Sequence, residues 1–231
     1  MLGEGSQGKV FQCRTMTGLP VAIKEVPTVT KRDQDKVSDE VHAVRAVRCK
    51  HVVGVLATFH DRRKAYIVTE LGAQGGLEGI LENIENNGKV LDEATIRKVV
   101  KQCLSALQAC HRSGVAHCGV SSKNIVVRNN AFDVMLVDFR EAVVDCGEQA
   151  KQFDIRGLGV VAWQMLYGVK SWSALLDRLS STRKSLRIPV DEIERNLPTS
   201  RVLSDGMRSS LLLLLDDSNK KKEIEEITAL L

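Results

Sequence analysis

The chain lacks a CxxC pair, a decisive excess of either charge, and any apolar run near the roughly 18 residues that cross a bilayer. Each absence removes a class of protein. The six cysteines, Cys13, Cys49, Cys103, Cys110, Cys118 and Cys146, are scattered, which argues against a zinc framework or a disulfide scaffold and for free thiols in a reducing compartment. His42, His51, His60 and His111 show no metal-ligand spacing. Thirty-three basic and 29 acidic residues are interspersed to a formal net charge of +4, so nothing calls for nucleic acid or a membrane surface as partner. The Lys220-Lys221-Lys222 run reads as a solvated helix start, and Leu211 to Leu215 as one buried helical turn. No secretory leader is recognisable at Met1, and the expected location is the cytoplasm or nucleus. What is present suffices for a substantial core: 231 residues, 43% hydrophobic and 27% charged, with no internal repeat.

The pattern along the chain is strand-rich at first and helical later. Gly3, Gly5 and Gly8 are followed by the strand-like Val10-Phe11-Gln12-Cys13-Arg14. A dinucleotide-binding turn would need a helix directly after the last glycine, so a β-hairpin is the better reading. Almost nothing precedes the glycines to form a first strand. Val21-Ala22-Ile23-Lys24 reads as a further strand. Val37, Val41, Val44 and Val47 recur at intervals of three and four and predict a helix over Asp33 to Val47, carrying Glu40. Strands are expected at Val52 to Phe59 and Ala65 to Thr69. A short helix is expected over Leu77 to Ile84, and a long one over Asp92 to His111, capped by Asp92. Its apolar face is Ile96, Val99, Val100, Cys103, Leu104 and Leu107. Short strands follow at Ile125 to Val127 and Val134 to Val137, then a helix from about Phe153 to Leu166 and a Leu-rich closing region.

Several of these stretches, in order, resemble the motifs of the protein kinase superfamily. Gly3 to Val10 matches its GxGxxGxV glycine loop, and Val21 to Lys24 its VAIK strand. His117-Cys118-Gly119-Val120-Ser121-Ser122-Lys123-Asn124 is similar to the catalytic loop HRDxKxxN, and Asp138-Phe139-Arg140 to the DFG segment. Phe153 to Gly159 resembles the DxxxLG opening of the central helix, and Lys221 stands near an Arg of the closing helix pair. The resemblance implies a two-lobed α+β fold in one kinase-like domain: a small antiparallel sheet with one main helix over 1–70 and a mostly helical lobe over 71–231. It also implies ATP or ADP as ligand, with Leu2, Gly3, Gly5, Gly8, Val10, Ala22, Lys24, Glu40, Thr69, Glu70, Gly72 and Val126 as nucleotide-binding residues. Lys24, oriented by Glu40, would grip the α and β phosphates; Val10, Ala22 and Val126 would sandwich adenine; Thr69 would be the gatekeeper. Asn124 and Asp138 would hold Mg2+, being oxygen donors suited to a hard cation. The bland alternative for Lys24, Glu40 and Asp138 is a polar network that braces the lobes. Val44, Val55, His117 and Phe139 fall where the family stacks a regulatory spine, which makes His117 a packed structural residue.

The chain departs from the family where chemistry is done. Gly119 stands where the family has the Asp that accepts the substrate hydroxyl proton, so no catalytic residue is assigned there. Ser121 replaces a Lys, Cys118 an Arg, and Arg140 the DFG glycine; Arg140 could pair with Asp138 in place of magnesium. Only 15 residues separate Asp138 from Asp154, with no APE motif, so the activation segment is shortened. Glu141 or Asp145 could in principle stand in for the base. The expectation is a pseudokinase: a nucleotide-binding, catalytically impaired scaffold or allosteric regulator of a protein partner, a kinase or another signalling protein. Two alternatives are a weakly active Ser/Thr-type kinase or phosphotransferase, and a remnant that binds no nucleotide.

Overall fold

The computed structural model describes residues 1–5, 8–180, 189–199, 201–216 and 224–231. Five antiparallel strands form the first lobe: β1 (Gly3–Gly5), β2 (Gly8–Arg14), β3 (Pro20–Pro27), β4 (Val55–Asp61) and β5 (Lys64–Glu70), in the order β1-β2-β3-β5-β4. The first strand, for which the sequence left almost no room, is formed by only three residues. Main-chain pairing of Gly3 with Val10 and Gly5 with Gly8 supplies its hydrogen bonds, so side-chain propensity is not needed. Between β3 and β4 runs α1 (Lys31–Arg45). Its start lies two residues before the expected Asp33 because Thr30 closes a capping box: Asp33 N donates to Thr30 Oγ1 at 3.2 Å and Thr30 N to the Asp33 carboxylate at 2.8 Å. The inner face of α1 packs Val37 against Ala65 and Ile67 of the sheet, and Val47 lies just beyond the helix end, still buried.

The second lobe is mostly helical. It contains β6 (Gly75–Gly76), α2 (Leu77–Asn86), α3 (Glu93–Arg112), β7 (Val115–Ala116), β8 (Ile125–Val127), β9 (Val134–Leu136), β10 (Val143–Val144), α4 (Glu148–Tyr167), α5 (Ser171–Ser180), α6 (Val190–Arg195), α7 (Asp205–Leu215) and α8 (Ile224–Leu230). Asp92 caps α3 by accepting from Thr95 N at 2.8 Å, and the whole apolar face expected of that helix is buried. Helix α4 begins at Glu148, five residues before the expected Phe153, because its first turn is polar and gives no apolar period to read. It runs through the lobe with Ile155, Leu158, Val161 and Trp163 buried between α3 and α7. The triple-lysine run, including Lys221, and Asp217 lie outside the described residues. All six cysteines are free, and burial pushes the Cys103 thiol up to about 12.

Backbone hydrogen bonds join the lobes beneath the sheet. Leu136 N donates to His51 O at 2.8 Å and Val53 N to Leu136 O at 3.0 Å, so β9 pairs with the segment that leads into β4. Arg128 adds two donors, one to Lys50 O at 2.5 Å and one to the Glu70 carboxylate at 2.8 Å. The stretch that connects β5 to the helical lobe is therefore held from below by a charged fork.

Candidate functional site

One cleft of about 360 Å³ opens between the sheet and the helical lobe. Of the fourteen residues that the sequence marks for nucleotide or metal, twelve line it: Leu2, Gly3, Val10, Ala22, Lys24, Glu40, Thr69, Glu70, Gly72, Asn124, Val126 and Asp138. Gly8 does not; it pairs with Gly5 across the β1–β2 hairpin. Gly8 is nonetheless a required glycine. Its φ is +141°, and a Cβ there would stand 2.1 Å from the Glu25 carbonyl oxygen. At Gly72 a Cβ would stand 2.0 Å from a Val126 methyl, so the connection passes directly against the floor strand.

Residues that the sequence reading missed complete the lining. Met135 and Val137 extend the floor, Val53 and Ile67 the back, and Lys123 the mouth, where its ammonium lies 3.9 Å from Glu78. Met135 was within reach of a period-two argument, because it pairs with Val126 across β8–β9 and paired residues share a face. Nothing in the local sequence points to Lys123.

At the inner end Lys24 binds two carboxylates at once. Its Nζ donates to both Glu40 oxygens at 2.7 and 2.9 Å and to Asp138 Oδ1 at 2.8 Å. The strand holds Lys24 toward the cleft and α1 presents Glu40 from behind, so the pair forms as the sequence implied. Burial pushes the Glu40 carboxyl up, against the pull of Lys24. For Asp138 burial also pushes up, but Lys24 and then Arg140 outweigh it and leave the carboxyl below its usual range. Asp138 takes a left-handed backbone, φ 62°, which Asp tolerates better than most residues. Arg140 is not among the positive-φ residues, so the side chain that replaces the family's glycine sits on ordinary backbone.

The loop from His117 to Asn124 is held almost entirely by groups that are not chemical actors. His117 is buried. Its Nε2–H donates to Val137 O at 2.9 Å, and its Nδ1 accepts from Gly119 N at 3.1 Å, which fixes one neutral tautomer. Burial lowers its pKa, consistent with an uncharged ring. The ring meets Phe139 edge-on with centroids 4.6 Å apart; Val44 shares the core cluster of Phe139 and Val55 packs at its edge. Asp154 from α4, fully buried, accepts from His117 N at 2.8 Å and Cys118 N at 2.7 Å, and contacts His111 Nε2 at 2.9 Å. The sequence reading placed Asp154 on the central helix but not as the anchor of this loop. A lone acid among apolar helix residues is the signal that it offered.

Glu141 and Asp145, the two acids that could stand in for a base, lie outside the cleft. Glu141 is exposed and approaches Arg140 at 3.5 Å, while Asp145 lies against Gly114; neither lines the cleft. Magnesium requires oxygen donors at about 2.0–2.1 Å in an octahedral set. Asn124 is compatible: its Nδ2 donates to Gly119 O at 2.8 Å, which leaves Oδ1 for a cation. Asp138 is not. Oδ1 is taken by Lys24 and Oδ2 lies 3.3 Å from the Arg140 guanidinium. Among the described residues no cluster of three His, Cys, Asp or Glu side chains forms a metal centre. The expected pairing of Asn124 with Asp138 around a metal thus meets cations already in place at both Asp138 oxygens.

A model of the protein kinase domain matches residues 1–144, a span that contains every residue lining the cleft, and the chain belongs to that family. Over 213 residues it is 28% identical to cyclin-dependent kinase-like 1 of Caenorhabditis elegans, covering 80% of this chain and 59% of that protein. It is 30% identical over 186 residues to cyclin-dependent kinase 7 of Dictyostelium discoideum, covering 77% and 50%. With the serine/threonine-protein kinase TIO of Arabidopsis thaliana it shares 32% over 142 residues, 60% of this chain and 10% of that protein. The chain thus spans little more than half the length of the first two. No helix among the described residues is long and apolar enough to cross a membrane.

Proposed function

We propose that the chain is a pseudokinase: one kinase-like domain, with a sheet lobe over 1–70 and a helical lobe over 71–231, that binds ATP or ADP and does not transfer phosphate to protein. Its output is a surface offered to a protein partner, a kinase or another signalling protein. The observation that carries this reading is the contrast within one cleft. Lys24 and Glu40 are assembled at 2.7 Å, while Gly119 presents only backbone where the family's proton acceptor stands. General-base catalysis contributes roughly 10² to 10⁴ in rate, and the short interval from Asp138 to Asp154 adds loss of substrate alignment. Leu2, Gly3, Val10, Ala22, Thr69, Glu70, Gly72 and Val126 supply the purine end, and Lys24 the phosphate contact, with Gly5 and Gly8 shaping the loop above it.

The test is thermal unfolding with ATP and with ADP, with and without Mg2+, on wild type and Lys24→Ala. Stabilisation of wild type that is lost in the variant supports the reading. No stabilisation of wild type at saturating nucleotide contradicts it and leaves the alternative of a braced, empty cleft, which the Lys24–Asp138–Arg140 chain of charges favours.

A further inference from the structure

We infer that nucleotide binding in this cleft is independent of divalent metal, because Arg140 serves as the permanent counter-ion of Asp138. The inference rests on the proposed function and specifies the ligand state that the cleft takes. Arg140 lies on the α1 side of Asp138, where it lines an adjoining cavity together with Lys24, Glu40 and Lys36 rather than the cleft itself. It acts on the phosphates through Asp138, as a positioning residue.

Charge at the inner end gives the reason. Lys24, Glu40 and Asp138 alone would sum to one negative charge, which repels a di- or triphosphate unless a cation is supplied. Arg140 brings that sum to zero. It also sets a positive charge 3.3 Å from Asp138 Oδ2, so a metal bound to that oxygen would be repelled by the guanidinium. An arginine remains charged at any physiological pH, so this counter-ion does not come and go as a bound ion does. The side chain is half-buried and its backbone lies outside the left-handed region. Lys24, whose three donors are shared between Glu40 and Asp138, is the cation at the inner end of the cleft, and Lys123 the one at its mouth.

The experiment is calorimetric titration of the intact chain with ADP, once in EDTA and once in Mg2+, for wild type, Arg140→Gly and Arg140→Lys, with the melting temperature of each unliganded protein as a check on folding. For wild type the two dissociation constants agree within about twofold. Arg140→Gly loses about tenfold or more in EDTA and recovers in Mg2+, whereas Arg140→Lys keeps metal independence. Binding of wild type only in Mg2+, or an Arg140→Gly protein that binds equally well in EDTA, overturns the inference and leaves the proposed function standing. If Arg140→Gly fails to fold, Arg140→Gln replaces it with the same expected loss in EDTA. Absence of ADP binding in both buffers overturns the proposed function and this inference together.

Discussion

The two walls of the cleft have diverged unequally. On the sheet wall the glycine hairpin, Lys24 and Glu40 keep both their positions and their chemistry. On the loop wall the positions persist while Cys118, Gly119, Ser121 and Arg140 differ from the family's pattern. The difference shows which residues the fold itself needs. His117, Asn124, Phe139 and Asp154 each carry hydrogen bonds or buried contacts that hold the loop, and each is present. The residues at Cys118, Gly119 and Ser121 contribute their main chains to that scaffold: Gly119 donates its N–H to His117 and accepts from Asn124, which any residue but proline could do. Side chains at Gly119 and Ser121 can therefore change at little cost to the structure, whereas Cys118 stands on left-handed backbone, φ 56°.

The largest expected effect breaks the loop wall at its anchor. Asp154→Ala leaves two buried backbone N–H groups and His111 without their acceptor and should cost about 3–5 kcal/mol in urea unfolding. A variant close to wild type would show that the loop is held by packing alone. Next, Gly72→Ala forces a Cβ onto Val126 and should cost about 1–3 kcal/mol while weakening the nucleotide-induced thermal shift; an unaltered shift would mean that the connection does not shape the purine end.

A third prediction separates the walls by pH. His117 has a folded pKa below its ordinary 6.5, so its contribution to stability is complete above that value and is lost as pH falls through the lower folded value. Melting temperature should drop over that acid range, and His117→Gln should flatten the drop; an equal slope in both proteins refutes the neutral-ring role. The smallest effect on stability is expected at Gly119. A Cβ there meets its nearest atoms at 3.4–3.5 Å, ordinary contact, so Gly119→Asp should fold with stability changed by about 0.5 kcal/mol or less. It should still phosphorylate no protein substrate, because the interval from Asp138 to Asp154 that would align one stays at 15 residues. Transfer by that variant would show that the base was the sole loss.

Much of the sheet wall was legible because its signals are local. Glycine spacing marks the hairpin, the period of Val37, Val41 and Val44 marks α1, and Asp92 marks the start of α3. The strand β1 was not, since three residues paired through main chain carry no side-chain pattern. The polar first turn of α4 hid its start for a related reason. On the loop wall the identities were readable but their arrangement was not: the engagement of both Asp138 oxygens and the reach of Asp154 to His117 link residues far apart in sequence. Arg140 is the exception. Its place beside Asp138 suggested the pair, and the structure provides it at 3.3 Å.

The central claim is that the cleft holds nucleotide without passing on its phosphate. Incubation of the protein with γ-labelled ATP and generic Ser/Thr substrates, followed by separation of free, bound and transferred label, tests it directly. Label that stays with intact ATP, part of it bound to the protein, is the predicted result; label on protein that disappears in Asp138→Ala would contradict it.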